Sequence, residues 1–252
     1  MNALWTAIRL LTCLPTPRVR APAPGALVES LVWFPVVGAF VGAVLGGAEL
    51  GVRHLTGSHV ASGGIAVALS VLITRGTHTR GLMVLTGGLF SGRTREEMAG
   101  LASREAPTSF GLLVGLGVLL LRYALVLALP TALRLWTFVL AGTLSRAGIV
   151  WVCWRFPYAE VDTGIGRYFG ALAGARDLLC VLPLLALGFG GLGPILAGAM
   201  LVAAWLLPHL LGLWVAWQLG GVTARTYDAA GEISELAALA AVAGLALWGG
   251  LL

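Results

Sequence analysis

The feature that constrains this chain most is the length of its apolar runs. Stretches at 30–52, 109–129 and 133–154 meet or exceed the ~18–20 residues a helix needs to cross a hydrocarbon core, and none alternates like a barrel strand. Charged residues are 11% of the 252, hydrophobic ones 58%, and the mean hydropathy is +0.93. So few charges cannot clothe a water-soluble domain of this size. The expected fold is all-α: a polytopic transmembrane helical bundle of six to seven spans, forming one integral membrane domain over residues 1–252.

Near the start, Leu4, Ile8 and Leu11 stand at helical spacing beside Trp5, and Pro15 and Pro17 stop the pattern. This predicts a short N-terminal helix in or against the membrane interface. The stretch has neither a basic start nor a small-residue cleavage site, so it does not read as a cleaved signal. In the first span, Gly38, Gly42 and Gly46 share one helix face and predict a closely packed neighbour. Glu49, near the end of that span, is an intramembrane acid or one that reaches water. The run at 61–74 is short, ends at Arg75, and is expected to continue irregularly through 81–90. Arg122 lies inside the next span, and Ser145 and Arg146 inside the one after it. Two crossings are expected within 178–219, broken near 190–194, before a last apolar run at 236–252.

Three polar segments interrupt the runs, at 75–108, 155–177 and 220–235. With seven crossings they share one face with the N-terminus, and twelve of the sixteen arginines fall there. Arg53 and Arg134 fall on the other face. The arginine-rich face is then cytoplasmic, and the three segments are free to meet. The basic balance is therefore read as topology, with nucleic acid excluded as a partner. Cys13, Cys153 and Cys180 are odd in number and set in apolar sequence, so they read as buried thiols.

The stretch 75–111 holds eight of the twenty-seven charged residues and is where chemistry is first sought. His78 has no second His or Cys at ligand spacing, so spacing alone assigns it no metal. Gly87, Gly88 and Gly92, with Ser91, have the composition of a phosphate-holding turn without the lysine of a P-loop. Arg122 and Arg146 read either as an anion clamp or as partners of Glu49 or a loop carboxylate, or as side chains that snorkel to the interface. Arg225, Asp228, Glu232 and Glu235 belong to a helix leading into the last span, the three acids on one face, which is most simply a solvated face.

Taken together, RLLTCLPTPR near the start, SLVWFPVVGAFVGA in the first span, LTGGLFSGRTREEMAGLASREAPTSFG in the central segment, LSRAG, PYA with GIGRYF, and GGVT with EISEL resemble the cobalamin synthase family. These are adenosylcobinamide-GDP ribazoletransferases of the bacterial inner membrane. The resemblance implies a multi-pass protein with polar loops and N-terminus in the cytoplasm. It implies a magnesium-dependent transfer that joins α-ribazole, or its 5′-phosphate, to adenosylcobinamide-GDP and releases GMP. The partners it implies are membrane lipid and corrinoid and nucleotide small molecules, with self-association or assembly with other cobalamin-pathway enzymes.

Family members carry aspartates where Arg80, Val84, Gly87, Arg104 and Arg225 stand here, so this is a divergent member without the family's metal-binding carboxylates. No metal ligand is assigned. The resemblance leaves His78, Glu105 and Glu232 as candidate catalytic groups. Arg80, Ser91, Arg93, Arg95, Arg104, Ser145, Arg146, Thr223 and Arg225 are the candidate substrate-binding residues, with Arg80, Arg104 and Arg225 expected on phosphate directly. Glu105 and Glu235 are further sources of carboxylate. Two other readings are a catalytically silent relative that binds a corrinoid or phosphorylated ligand or supports an active copy, and a small anion transporter.

Overall fold

The computed structural model describes residues 2–17, 24–103, 106–159 and 166–249. Two short helices come first, α1 (Asn2–Leu11) and α2 (Pro24–Glu29). Then follow α3 (Phe34–Thr56), α4 (His59–Thr74), α5 (Thr77–Ser91), α6 (Arg95–Ala102), α7 (Ser109–Leu127), α8 (Arg134–Arg155), α9 (Gly166–Leu172), α10 (Val181–Leu192), α11 (Pro194–Leu219) and α12 (Ala224–Trp248). Among the described residues, six helical segments are long and apolar enough to cross a membrane, and α4 with α5, bent by 82°, makes a seventh span when the pair is taken as one. Leucines of α7 and α11 such as Leu113, Leu120, Leu210 and Leu213 point outward. Such a surface suits lipid rather than water. The chain is a polytopic helical membrane protein.

The glycine stripe packs as its spacing predicts. A Cβ on Gly38 would collide with the carbonyl of Gly142, one on Gly42 with that of Phe138, and one on Gly46 with Leu135. Since the first numbers rise as the second fall, α3 and α8 run antiparallel with their backbones in contact, and only glycine fits there. On the far side of α8, Leu140 and Leu144 pack with Met200 of α11 and Leu239 of α12.

Local sequence sets the breaks. Gly57, in the left-handed region at φ 68°, ends α3, and the Ser58 hydroxyl caps α4 by accepting from Ala61 N–H at 3.1 Å. Arg75 and Gly76 both lie at positive φ, 55° and 60°, and separate α4 from α5. The stretch after Arg75 is thus regular helix, and the irregularity expected through 81–90 is confined to two residues. Gly193, at φ 78°, and Pro194 divide 178–219 into α10 and α11.

Several details differ from the sequence reading. The helix expected to lead into the last span is continuous with it from Ala224, where Thr223 caps it, and what differs is that its acids find buried partners. Of the two readings of Glu49, the intramembrane acid holds and the water-reaching one does not. Glu49 is fully buried, accepts from Ser62 at 2.9 Å, and is ion-paired with Arg134 and with Arg53 at 3.5 Å. Arg134, at the far end as expected, is accordingly buried. Among the cysteines only Cys153 is buried. Cys13 is exposed and Cys180 is partly so, since each lies at a helix margin outside the core.

Candidate functional site

At the end of the bundle where α3 begins and α8 ends, a cavity of about 420 Å³ opens beside the first turn of α12. One part of its wall is apolar, from Leu11, Phe34, Ile149 and Phe169. Another is polar, from Thr77, Ser103, Arg225, Tyr227 and Asp228. Residues from all three polar segments therefore meet here. Two backbone hydrogen bonds join the second segment to the third, Ala159 N–H to Val222 O at 2.9 Å and Val222 N–H to Pro157 O at 2.8 Å. The chain leaves α11 through Gly220, at φ 79°, a conformation that favours glycine. It turns into α12 with the Thr223 hydroxyl accepting from Thr226 N–H at 3.4 Å. The N-terminal turn of a 25-residue helix is thus aimed at the cavity, where its dipole favours an anion.

Asp228 sits one turn into α12 against Gly81 of α5, where a Cβ on Gly81 would collide with it. Its carboxylate lies 3.9 Å from Nη1 of Arg225 and 3.7 Å from Nδ1 of His78. His78 is 3% exposed, and neither ring nitrogen has a hydrogen-bond partner.

Behind this layer is a buried charge network. Arg122 of α7 donates to Glu232 at 2.8 Å and lies 3.6 Å from Glu235. Arg146 of α8 meets Glu235 at 3.4 Å. Thr79 donates to Glu232 at 3.1 Å, and Arg122 also donates to Ser70 at 2.8 Å. Asp228, Glu232 and Glu235 share a face because they stand four and then three residues apart. That face looks into the bundle, so its reading as solvated is corrected. Two glutamates and two arginines neutralise one another, which is the arrangement that makes charge tolerable at this depth. Of the readings open for Arg122 and Arg146, the geometry is that of an internal ion pair, both guanidiniums being engaged by carboxylates of α12 rather than by Glu49.

The candidate residues separate into several groups. Arg225 lines the cavity, His78 stands behind Asp228, and Arg80 is exposed one turn past Thr77. Ser145 is buried and donates to Gly231 O at 2.7 Å, Arg146 is 1% exposed in its ion pair, and Glu232 is held by Arg122, so all three are engaged between helices and none lines the cavity. The Thr223 hydroxyl is used as a cap. Arg95 donates to the carbonyls of Gln218 and Trp217 at 3.0 and 3.2 Å and so caps α11. Ser91 and Arg93 are exposed. Arg104 and Glu105 lie outside the described residues. Gly87 and Gly88 form no phosphate turn. They are inside α5, where added Cβ atoms would crowd Thr108 and Ala102. The residues that sequence reasoning missed are Asp228, Tyr227, Phe169 and Thr77. The signal for Asp228 was present, as the first of three acids spaced for one face of an otherwise apolar helix.

The magnesium that the resemblance implies does not fit the described residues. Mg²⁺ prefers an octahedron of hard oxygens, with one or two carboxylates beside phosphate and water. Asp228 is the one described carboxylate lining the cavity, and Arg225 and His78 flank it. No group of three or more His, Cys, Asp or Glu able to hold a metal occurs among the described residues.

Comparison with known proteins finds similarity over nearly the whole chain. The family model described as cobalamin-5-phosphate synthase matches residues 3–243. A protein of Roseiflexus sp. (strain RS-1) named adenosylcobinamide-GDP ribazoletransferase is 35% identical, with 93% of this chain and 86% of the relative covered. One of the same name from Chlorobium chlorochromatii (strain CaD3) is 36% identical, with 94% of each covered. No solved structure matches. With the match running from α1 nearly to the end of α12, the chain belongs to the cobalamin-5-phosphate synthase family.

Proposed function

We propose that the protein acts as a ribazoletransferase of its family, joining α-ribazole or its 5′-phosphate to adenosylcobinamide-GDP with release of GMP. The observation that carries this reading is the cavity where the family-like segments 75–108, 155–177 and 220–235 converge. The acceptor oxygen bonds to the corrinoid-side phosphorus, and the bridging oxygen leaves with GMP. Such a transfer asks a protein mainly for positioning and for compensation of charge. Here the apolar wall orients an aromatic ring and shields it from water, while Arg225 and the first turn of α12 offset phosphate charge. The protein sits in the bacterial plasma membrane with this end of the bundle and the N-terminus in the cytoplasm. It works as a single copy, as a homo-oligomer or beside other enzymes of the pathway.

The experiment is transfer by purified protein in detergent, with adenosylcobinamide-GDP and α-ribazole, with and without magnesium, following GMP and corrinoid product. Product formation supports the reading, and its absence beside an active relative as control sinks it. One observation favours a second reading, binding without turnover: among the described residues, the α12 carboxylates at and behind the cavity each stand beside an arginine. Under that reading the same preparation binds ligand and forms no GMP. In either case phosphate is held by arginine, so binding of a phosphorylated ligand is expected to survive complete chelation of divalent cations. Affinity that vanishes with chelator would contradict it.

A further inference from the structure

The Asp228 carboxylate occupies an intermediate position. At 3.9 Å from Arg225 and 3.7 Å from His78, it is outside hydrogen-bond reach of both. Its Cβ is fixed against α5, filling the space a side chain at Gly81 would take. The carboxylate itself retains a broad, two-fold torsion. His78 is buried with both ring nitrogens unpartnered, an arrangement that is costly unless a partner is within a short movement. Arg225, in contrast, faces the cavity with a fifth of its side chain exposed and is held only loosely.

From these contacts we infer that Asp228 is a displaceable stand-in for a ligand phosphate. The cavity takes a phosphorylated aromatic nucleoside of about one nucleotide in size. Its phosphate draws Arg225 away from Asp228, and the released carboxylate accepts a hydrogen bond from Nδ1–H of His78. Arginine prefers phosphate in this exchange because the fork is matched by oxygens that carry more charge than one carboxylate. The ring lies against Phe34 and Phe169, whose own rings meet edge to face with centroids 6.3 Å apart. Size supports a nucleotide over a corrinoid: about 420 Å³ is near the lower end of the ~300–1,000 Å³ typical of small-molecule sites. The corrin ring would then remain outside, against the membrane-facing rim.

The inference rests on the proposed reading of the cavity, but its test does not require turnover. Binding to the purified full-length protein is measured by calorimetry for α-ribazole 5′-phosphate, GMP, unphosphorylated α-ribazole and nucleotide-free adenosylcobinamide. The first two distinguish the acceptor from the guanylate end of the donor, and tight binding of either supports the inference. Binding that is no weaker for the unphosphorylated nucleoside overturns it, as does competition by nucleotide-free adenosylcobinamide. Two variants should then move affinity in opposite directions. Arg225→Gln should weaken the phosphorylated ligand about tenfold, whereas Asp228→Asn, which removes the competing anion, should tighten it about threefold. A merely structural role weakens both, and that result also overturns the inference. Should Arg225→Gln fail to fold, as judged by its melting curve, the sign of the Asp228→Asn effect decides. Opposite signs without GMP release would keep this inference and remove the transferase reading; GMP release with equal signs would do the reverse.

Discussion

At the scale of single residues, the bundle depends on charges that only make sense in pairs. Glu232→Leu leaves Arg122 buried beside Ser70 with its main counter-charge gone, so a loss of about 3–5 kcal/mol is expected. It should appear as a lower melting temperature in detergent. Replacing both residues, as in Arg122→Leu with Glu232→Leu, should recover most of the loss, and a double variant no better than the single one would show the pair is not the cause. Arg95→Ala should cost about 1 kcal/mol by the same readout, through two lost hydrogen bonds to the end of α11. The arginines were legible in the sequence as charges requiring partners, and Arg225 was legible as a cavity residue. Their partners were not. Glu232 lies 110 residues from Arg122, and Glu235 lies 89 from Arg146, and no local rule spans such distances. Asp228 was hidden for a related reason, because whether a polar helix face meets water or protein is decided by the neighbouring helices.

At the scale of elements, the bend between α4 and α5 gives a testable ordering. Arg75 holds a left-handed conformation, and its guanidinium donates to Arg9 O at 2.8 Å and Thr12 O at 3.0 Å, tying the end of α1 to the bend. Arg75→Gly keeps the backbone and loses the tie. Arg75→Ala loses the tie and retains the left-handed strain, so it should be the less stable of the two by about 1 kcal/mol. Both should speed proteolysis just after α1, and an unchanged rate would mean the tie does nothing. In α8, Gly142→Val puts a branched side chain where α3 backbone lies. It should abolish monodisperse protein on size exclusion. The contrast with Gly87 and Gly88 shows the limit of composition: both sets permit close packing, but only the four-residue stripe of α3 has a spacing that says so in advance.

For the whole molecule, the order of crossings was legible and their depth was not. Hydropathy located the spans and the acid spacing made 224–235 a helix leading into the last one, while the burial of its polar face required knowledge of what it packs against. The proposed orientation predicts that a fusion after Gly57 reports the external side and one after Gly92 the cytoplasm. A cytoplasmic signal at Gly57 would invert the molecule. The two ends of the bundle also differ. The end with Glu49, Arg134 and Arg53 carries buried ionic contacts and a mostly apolar pocket beside Leu192 and Trp248, and the opposite end holds the polar-lined cavity. Motion that admits a ligand should therefore be concentrated at the cavity end, visible as faster hydrogen exchange in the first turns of α5 and α12 than around Glu49.

The wide separation of charge and counter-charge along the chain also has a meaning in time. A ribosome delivers Arg122 and Arg146 to the membrane well before Glu232 and Glu235 exist, and an arginine at the centre of a helix costs ~2.5–3.5 kcal/mol on insertion. Until its final helix emerges, the nascent chain carries two guanidiniums it cannot neutralise. Newly made protein is thus a waiting form, dependent on borrowed water or lipid phosphate, and the last helix completes the bundle by cancelling a debt of charge incurred by its predecessors.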